Sequence, residues 1–169
     1  MVQKERRRWL KCELQMKQLP LEAFYLGSPL FSSNSKTKDF KCINKRVESR
    51  LKGWQCKCLS WAGRNTMIES VAQALPTYTF STIDIPTSVW KKLDSVTRHF
   101  WWNPKKEIGN YLAWKLWDLL CQPKVRGLGF RQSKNLNCAM LAKLTWMIAS
   151  KRDSLCMRAL HGKYKVRAD

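Results

Sequence analysis

The stretch LSWAGRNTMIESVAQALP, Leu59 to Pro76, reads as one complete helix, and that reading sets the fold class. Ser60 is a good N-cap, because its hydroxyl can accept a backbone N–H that the first helical turn leaves unpaired. Met67, Ile68, Val71 and Leu75 recur at short helical steps and share one side of the helix. Pro76 marks the end, since a proline disfavours helical backbone in the residue before it. A helix with one apolar side must be covered by a neighbour, and the segments around it supply helical neighbours.

Upstream, Phe40, Ile43, Val47, Leu51 and Trp54 recur every three or four residues, which predicts a helix from about Thr37 to Cys56 with those five side chains buried. Its other face carries Lys41, Lys45, Arg46, Arg50 and Lys52. Downstream, Pro76 to Pro86 reads as an extended connector, followed by a helix from Pro86 to Trp102 that buries Val89, Leu93, Val96 and Phe100 and leaves Lys91, Lys92 and Arg98 outside. Asn103 to Asn110 breaks that helix. Tyr111 to Cys121 suggests a short strand and a helical turn, and Pro123, Gly127 and Gly129 mark a loop. A helix from Ser133 to Ala149 should bury Leu136, Met140, Leu144 and Met147, and a last one should begin at an Asp153 cap and run to about Lys165. At the start, Lys4 to Arg8 is a basic cluster, either a frayed arm or a short exposed helix. Leu19 to Phe31, with Pro20, Gly27 and Pro29, reads as extended segments and turns. The expected fold is mainly α: a helical bundle and a second helical segment, with a short extended N-terminal portion.

The 169 residues fit one domain with a real core, and 32 basic against 12 acidic side chains leave a formal charge of +20. Such an excess repels itself in a compact state and favours a polyanionic partner, nucleic acid foremost. No apolar run approaches the length of a membrane span, and MVQKERRRWLK lacks the apolar stretch of a secretory signal, so no membrane partner and an intracellular place are expected. For Lys4 to Arg8, nuclear import or phosphate binding stands beside plain solvated charge. Seven cysteines and no export signal argue for reduced thiols. The pairs Cys56-x-Cys58 and Cys156-x4-His161 do not have the spacing of a zinc finger, so no metal or other cofactor is expected. His99 and His161 lie far apart in sequence and in no nucleophile or metal pattern.

Four stretches in order, YLGSPLF (Tyr25 to Phe31), LSWAGR (Leu59 to Arg64), FWW (Phe100 to Trp102) and GLGFR (Gly127 to Arg131), resemble the YLGxPL, LSxAGR, FWW and GGLGFR segments of plant non-LTR (LINE-type) retrotransposon reverse transcriptases. The resemblance spans about residues 17 to 165. It implies a thumb and post-thumb fragment lying between the polymerase palm and a C-terminal zinc-binding module. On that reading residues 1–16 are a basic arm, 17–35 a remnant of the segment that closes the palm, 36–103 a thumb-like helical region, and 104–169 a post-thumb connector that ends before the zinc-binding module. The six aspartates are scattered singly, and nothing resembles the family's YxDD motif, so the two-cation chemistry of polymerisation is not expected. The implied role is to hold template–primer, RNA or an RNA/DNA duplex beside the palm; nothing indicates an oligomeric state. One departure is that Arg126 precedes a single Gly127 where relatives carry two glycines, and this loop reads as a structural turn rather than a nucleotide fingerprint.

The candidate nucleic-acid contacts are Lys45, Arg46, Arg50, Lys52, Lys57 and Arg64. They fall on the first predicted helix, its end and the start of the second. There a helix N-terminus with free N–H groups and the Arg64 guanidinium could seat a phosphate. Alternatively Arg64 serves its own fold, near Glu69 or Glu48. Gly63 reads as a packing glycine. Nine tryptophans can stack on bases or fill a core. Trp101 and Trp102 are adjacent at a helix end and cannot both point inward, so Trp102 joins the candidates. Remnant status without a selected activity and a protein-interaction role are the competing readings.

Overall fold

The computed structural model describes residues 4–15, 19–20, 23–26, 28–30, 36–55, 59–102, 111–150 and 153–164. The protein is mainly α. Its helices are α1 (Lys4–Glu13), α2 (Lys36–Asp39), α3 (Lys41–Gln55), α4 (Trp61–Met67), α5 (Thr77–Thr82), α6 (Thr87–Trp102), α7 (Trp117–Leu120), α8 (Ser133–Ala149) and α9 (Leu155–Tyr164). Strands β1 (Phe24–Tyr25) and β2 (Ser28–Pro29) form an antiparallel pair that matches Phe24 with Pro29 and Tyr25 with Ser28. The short extended N-terminal portion is therefore a minimal hairpin, and Tyr25 sets its ring edge-on to Tyr78 of α5 at 6.3 Å. The basic cluster Lys4 to Arg8 lies on α1, where Glu5, Arg6 and Arg8 are exposed.

The core is where the periodicity placed it. Phe40 and, from α3, Ile43, Val47 and Leu51 meet Ile68, Val89, Leu93 and Phe100, and Phe80, Leu120, Phe130 and Leu136 extend the cluster. Trp54 corrects the expected stripe. It continues the inward face by helical angle but sits in the last turn of α3 and stays 36% exposed. The predicted single helix from Thr37 to Cys56 is interrupted by a turn at Phe40; Cys56 lies outside the described residues. Phe31 and the Asn103–Asn110 break also lie outside them, and so does Lys165.

The helix predicted from Ser60 to Leu75 divides in two. Ser60 caps α4 as expected, its Oγ accepting from the Gly63 N–H at 3.2 Å. Past Met67, however, Ile68–Ala72 form a π turn, in which the Gln73 N–H reaches the Ile68 carbonyl five residues back at 3.0 Å. That extra residue rotates the inward face, so Ile68 and Ala72 are buried while Met67, Val71 and Leu75 are only half-buried. Pro76 does not open an extended connector. It stands at the head of α5, its carbonyl accepting from the Phe80 N–H at 2.9 Å, a place where a proline's missing N–H costs nothing. Past α5 the rest of that connector, Ile83 through Pro86, is outside a helix, with Ile83 in the extended conformation.

Two polar side chains fix how α8 sits. Asn137 is 3% exposed, and its amide accepts from the Ile85 N–H at 3.1 Å while donating to the carbonyls of Phe80 at 2.8 Å and Ile83 at 3.0 Å. It thus satisfies backbone groups that the bend between α5 and α6 leaves unpaired in the interior. Asp94 of α6 accepts from both the N–H and the hydroxyl of Ser133, at 3.1 and 2.7 Å, and so caps α8 from another helix. Of the stripe expected on α8, Leu136 is buried; Met140, Leu144 and Met147 are half-buried. The strand expected after Tyr111 does not form; residues 111–116 are irregular, and only the helical turn α7 is present. The last helix is capped by Ser154, whose Oγ accepts from the Met157 N–H at 3.3 Å, whereas Asp153 pairs with Arg158 at 3.5 Å.

Candidate nucleic-acid interface

The outer side of α3 exposes Lys41, Lys45, Arg46, Arg50 and Lys52. This follows from the sequence, since once Ile43, Val47 and Leu51 turn inward the intervening basic residues must face solvent. The one carboxylate on that helix, Glu48, is engaged at 3.4 Å by Lys92 of α6. Among the described residues no carboxylate pairs with Lys45, Arg46 or Arg50. Lys57 lies outside the described residues.

Arg64 is arranged differently from its neighbours in the candidate set. Its Nη1 donates to the Trp101 carbonyl at 3.0 Å, one of the carbonyls that the end of α6 leaves without a helical partner. The guanidinium carbon lies 4.4 Å from the centre of the Trp61 ring. Burial holds its pKa below the ordinary arginine value, though an arginine in this setting keeps its charge. The expected phosphate seat at the head of α4 is already partly occupied by the fold. The Ser60 hydroxyl takes the Gly63 N–H, the Ser60 carbonyl takes the Arg64 N–H, and the guanidinium is tied to α6. Arg64 joins two helices without using Glu69 or Glu48; Glu69 pairs with Lys124 instead.

Around this tie three of the quoted motifs converge. Trp61 from LSWAGR contacts Trp101 and Trp102 from FWW, with ring centres 5.0 and 6.0 Å away and planes inclined at 59° and 73°. Trp101, 6% exposed, packs edge-on against Phe130 of GLGF at 5.3 Å, and Phe130 stacks on Trp117 at 5.6 Å. The adjacent tryptophans divide as the helix requires, with Trp101 buried and Trp102 half-buried.

The GLGF loop closes the cluster from the far side of the sequence. Leu128 and Phe130 return their N–H groups to the Leu120 carbonyl at 3.0 and 3.4 Å, and Gly129 returns its own to Gln122 at 2.9 Å. This is a structural turn, as the sequence implied. Gly127 must be glycine, because a Cβ there would stand 2.3 Å from the Leu119 carbonyl oxygen and 2.8 Å from that of Gln122. Gly129 takes a φ of +75°, a conformation that favours glycine. Gly63 is the contrary case: the atoms nearest an added Cβ, from Leu59 and Ser60, lie at 3.5 Å or more, so the expected packing constraint is absent.

The candidate residues therefore fall into two groups, a solvated basic helix (Lys45, Arg46, Arg50, Lys52) and an aromatic cluster (Arg64, Trp102). The cluster also includes residues that were not among the candidate contacts, Trp61, Lys115 and Arg126, which line a common cleft with Trp101 and Trp102. The available signal was the departure at Arg126, which precedes a single Gly127 where the resembled segments carry two glycines. Among the described residues no group of three or more His, Cys, Asp or Glu side chains could hold a metal ion, and no helix is long and apolar enough to cross a membrane.

Known proteins share this sequence over much of its length. The chain is 35% identical over 139 residues to an Arabidopsis thaliana protein named for ribonuclease H, a match covering 82% of this chain and 22% of that protein. It is 36% identical over 93 residues to an uncharacterized mitochondrial protein of the same plant, covering 54% of this chain and 60% of the relative. The chain thus spans about a fifth of one relative and three fifths of the other. No protein-family model and no solved structure matches it.

Proposed function

We propose that this chain is a non-catalytic segment of a plant retroelement reverse transcriptase polyprotein, acting inside the cell to grip nucleic acid by its phosphates without regard to sequence. The observation that carries this reading is the exposed face of α3, where Lys45, Arg46 and Arg50 stand without carboxylate partners among the described residues in a chain of charge +20. Cations spaced along a rigid helix meet a backbone of regularly spaced phosphates, and the release of condensed counterions supplies the free energy. Phosphate contacts position a strand or duplex and carry no sequence information, which suits a segment that must hold whatever template passes it. The motif resemblance and the similarity to a relative named for ribonuclease H support an origin in such an element. The reading gives the chain no catalytic role and makes a polymerase palm and an RNA or RNA/DNA duplex its natural partners.

The test is affinity against salt for RNA/DNA duplexes of unrelated sequence. Replacing Lys45, Arg46 and Arg50 together by Gln should weaken all of them by similar factors and reduce the salt slope by roughly one unit per lost contact. A folded triple variant with an unchanged slope would show the face to be ordinary solvated surface.

A second reading, a protein-interaction role, is favoured by one observation: Leu112, Trp114 and Leu116 all stand exposed along an irregular segment, with Trp114 81% exposed. Exposed apolar side chains in series mark protein contacts. Association through them would be insensitive to salt.

A further inference from the structure

Trp61, Trp101 and Trp102 line a cleft of about 360 Å³, with Lys115, Arg126 and Leu128 also in its wall. The volume lies in the range of small-ligand sites, and none of its lining residues is acidic. Its three indoles meet one another tilted or edge-on, at inclinations of 59° to 74°; Trp101 is 6% exposed, so the ring surface open to a ligand comes from Trp61 and half-buried Trp102. Trp61 is 54% exposed. The buried Nε1–H of Trp101 has no acceptor among the described residues. Two exposed cations, Lys115 and Arg126, complete the wall, and a third, Arg64, lies against the Trp61 ring.

We infer that this cleft takes one unpaired nucleotide of a single strand, its base against the tryptophan rings and its flanking phosphates against Lys115 and Arg126. The inference rests on the reading of the chain as nucleic-acid binding and adds the form that this second surface selects. A flat, hydrogen-bonding ring joined to a negative charge complements an aromatic cleft with basic walls and an unused indole donor. Aromatic side chains stack on any base, so such a seat is tolerant of sequence. A paired base is stacked within its helix on both faces and cannot enter a cleft of this size, so the cleft discriminates single strand from duplex. Arg126 adds a cation for a flanking phosphate.

The experiment measures binding of the full chain to a labelled ten-nucleotide single strand, to a hairpin duplex of equal charge, and to the corresponding mononucleotide, with tryptophan fluorescence as a second readout. The single strand should quench tryptophan emission and bind more tightly than the hairpin. Trp61→Ala should cost it roughly 5- to 150-fold, the range for one stacked base, while leaving the hairpin unchanged. Trp61→Phe, which keeps a ring, should recover much of the loss. Arg126→Gln, a change at an exposed side chain, should lower the single-strand salt slope by about one. A mononucleotide that bound as tightly as the strand would assign the cleft to free nucleotides. Equal affinity for strand and hairpin, unaffected by Trp61→Ala and Arg126→Gln yet reduced by the α3 triple variant, would overturn the cleft proposal and leave the function standing. No binding of any form would overturn both.

Discussion

Replacing Asn137 by Ala tests whether one buried amide holds the last long helix in place. The Asn137 side chain makes three hydrogen bonds, to the Ile85 N–H and to the carbonyls of Phe80 and Ile83, at 2.8 to 3.1 Å. Alanine leaves one donor and two acceptors in an interior where the residue is 3% exposed. Each stranded group costs about 1–3 kcal/mol unless water reaches it, the carbonyls least because a second lone pair can find other partners. The sum, allowing for partial hydration of the gap, is about 3–5 kcal/mol, a large part of the stability of an ordinary domain. Asn137→Leu fills the volume but leaves the same groups unpaired and should cost a comparable amount. Asn137→Asp keeps the acceptor for Ile85 yet turns a carboxylate oxygen toward two carbonyls, and at neutral pH it should be no better than alanine. Asn135→Ala is the control, since Asn135 is exposed and bonds only the Gln132 side chain at 2.8 Å; it should stay within about 0.5 kcal/mol of the parent. Urea unfolding followed by tryptophan emission gives all four differences. A loss below about 1 kcal/mol in Asn137→Ala, with an unchanged denaturant slope, would refute the claim that the amide secures the bend between α5 and α6.

Two glycines should separate in the same assay: Gly127→Ala forces a Cβ against the Leu119 and Gln122 carbonyls and should cost about 1–3 kcal/mol, whereas Gly63→Ala should be neutral or stabilising by up to about 1 kcal/mol through helix propensity. Burial raises the Asp94 carboxyl above its ordinary value, and the Ser133 hydrogen bonds oppose that rise without cancelling it. The folded state therefore holds this proton to higher pH than the unfolded chain does. Its contribution is fully present below the unfolded value near 3.9 and is lost as pH rises through the native value. Melting curves of parent and Asp94→Asn from pH 3 to 7 should diverge over that window, and parallel curves would contradict the assignment. Burial, with Asp94 and Asp118 nearby, pushes the Cys121 thiol up to about 12, so at pH 8 a thiol reagent should label exposed Cys138 rapidly and Cys121 only as the protein opens. Equal rates in the native protein, assigned with Cys121→Ser, would contradict the burial of Cys121.

The sequence alone determined the helical class and the inward faces of α3 and α6, because a period of three to four residues with basic residues between leaves a helix one way to bury itself. It likewise determined the exposure of Lys45, Arg46 and Arg50, which is a consequence of that burial. What it could not determine rests on contacts between residues far apart in the chain. The π turn at Ile68–Ala72 and the helical course of Thr77–Thr82 overrode the local signal of Pro76, since α5 gains its burial from α8, more than fifty residues on. Trp54 keeps the inward helical angle yet stays 36% exposed in the last turn of α3. Arg64 shows the difference most clearly. Its charge and place in the LSWAGR turn suggested a phosphate contact, but the Trp101 carbonyl, thirty-seven residues away, takes its Nη1, and the aromatic cleft beside it exists only because the fold joins three separate motifs. A side chain's type and helical phase are written locally; which partner reaches it first is decided by tertiary packing, and that decides whether a cation is surface, cap or wall of a site.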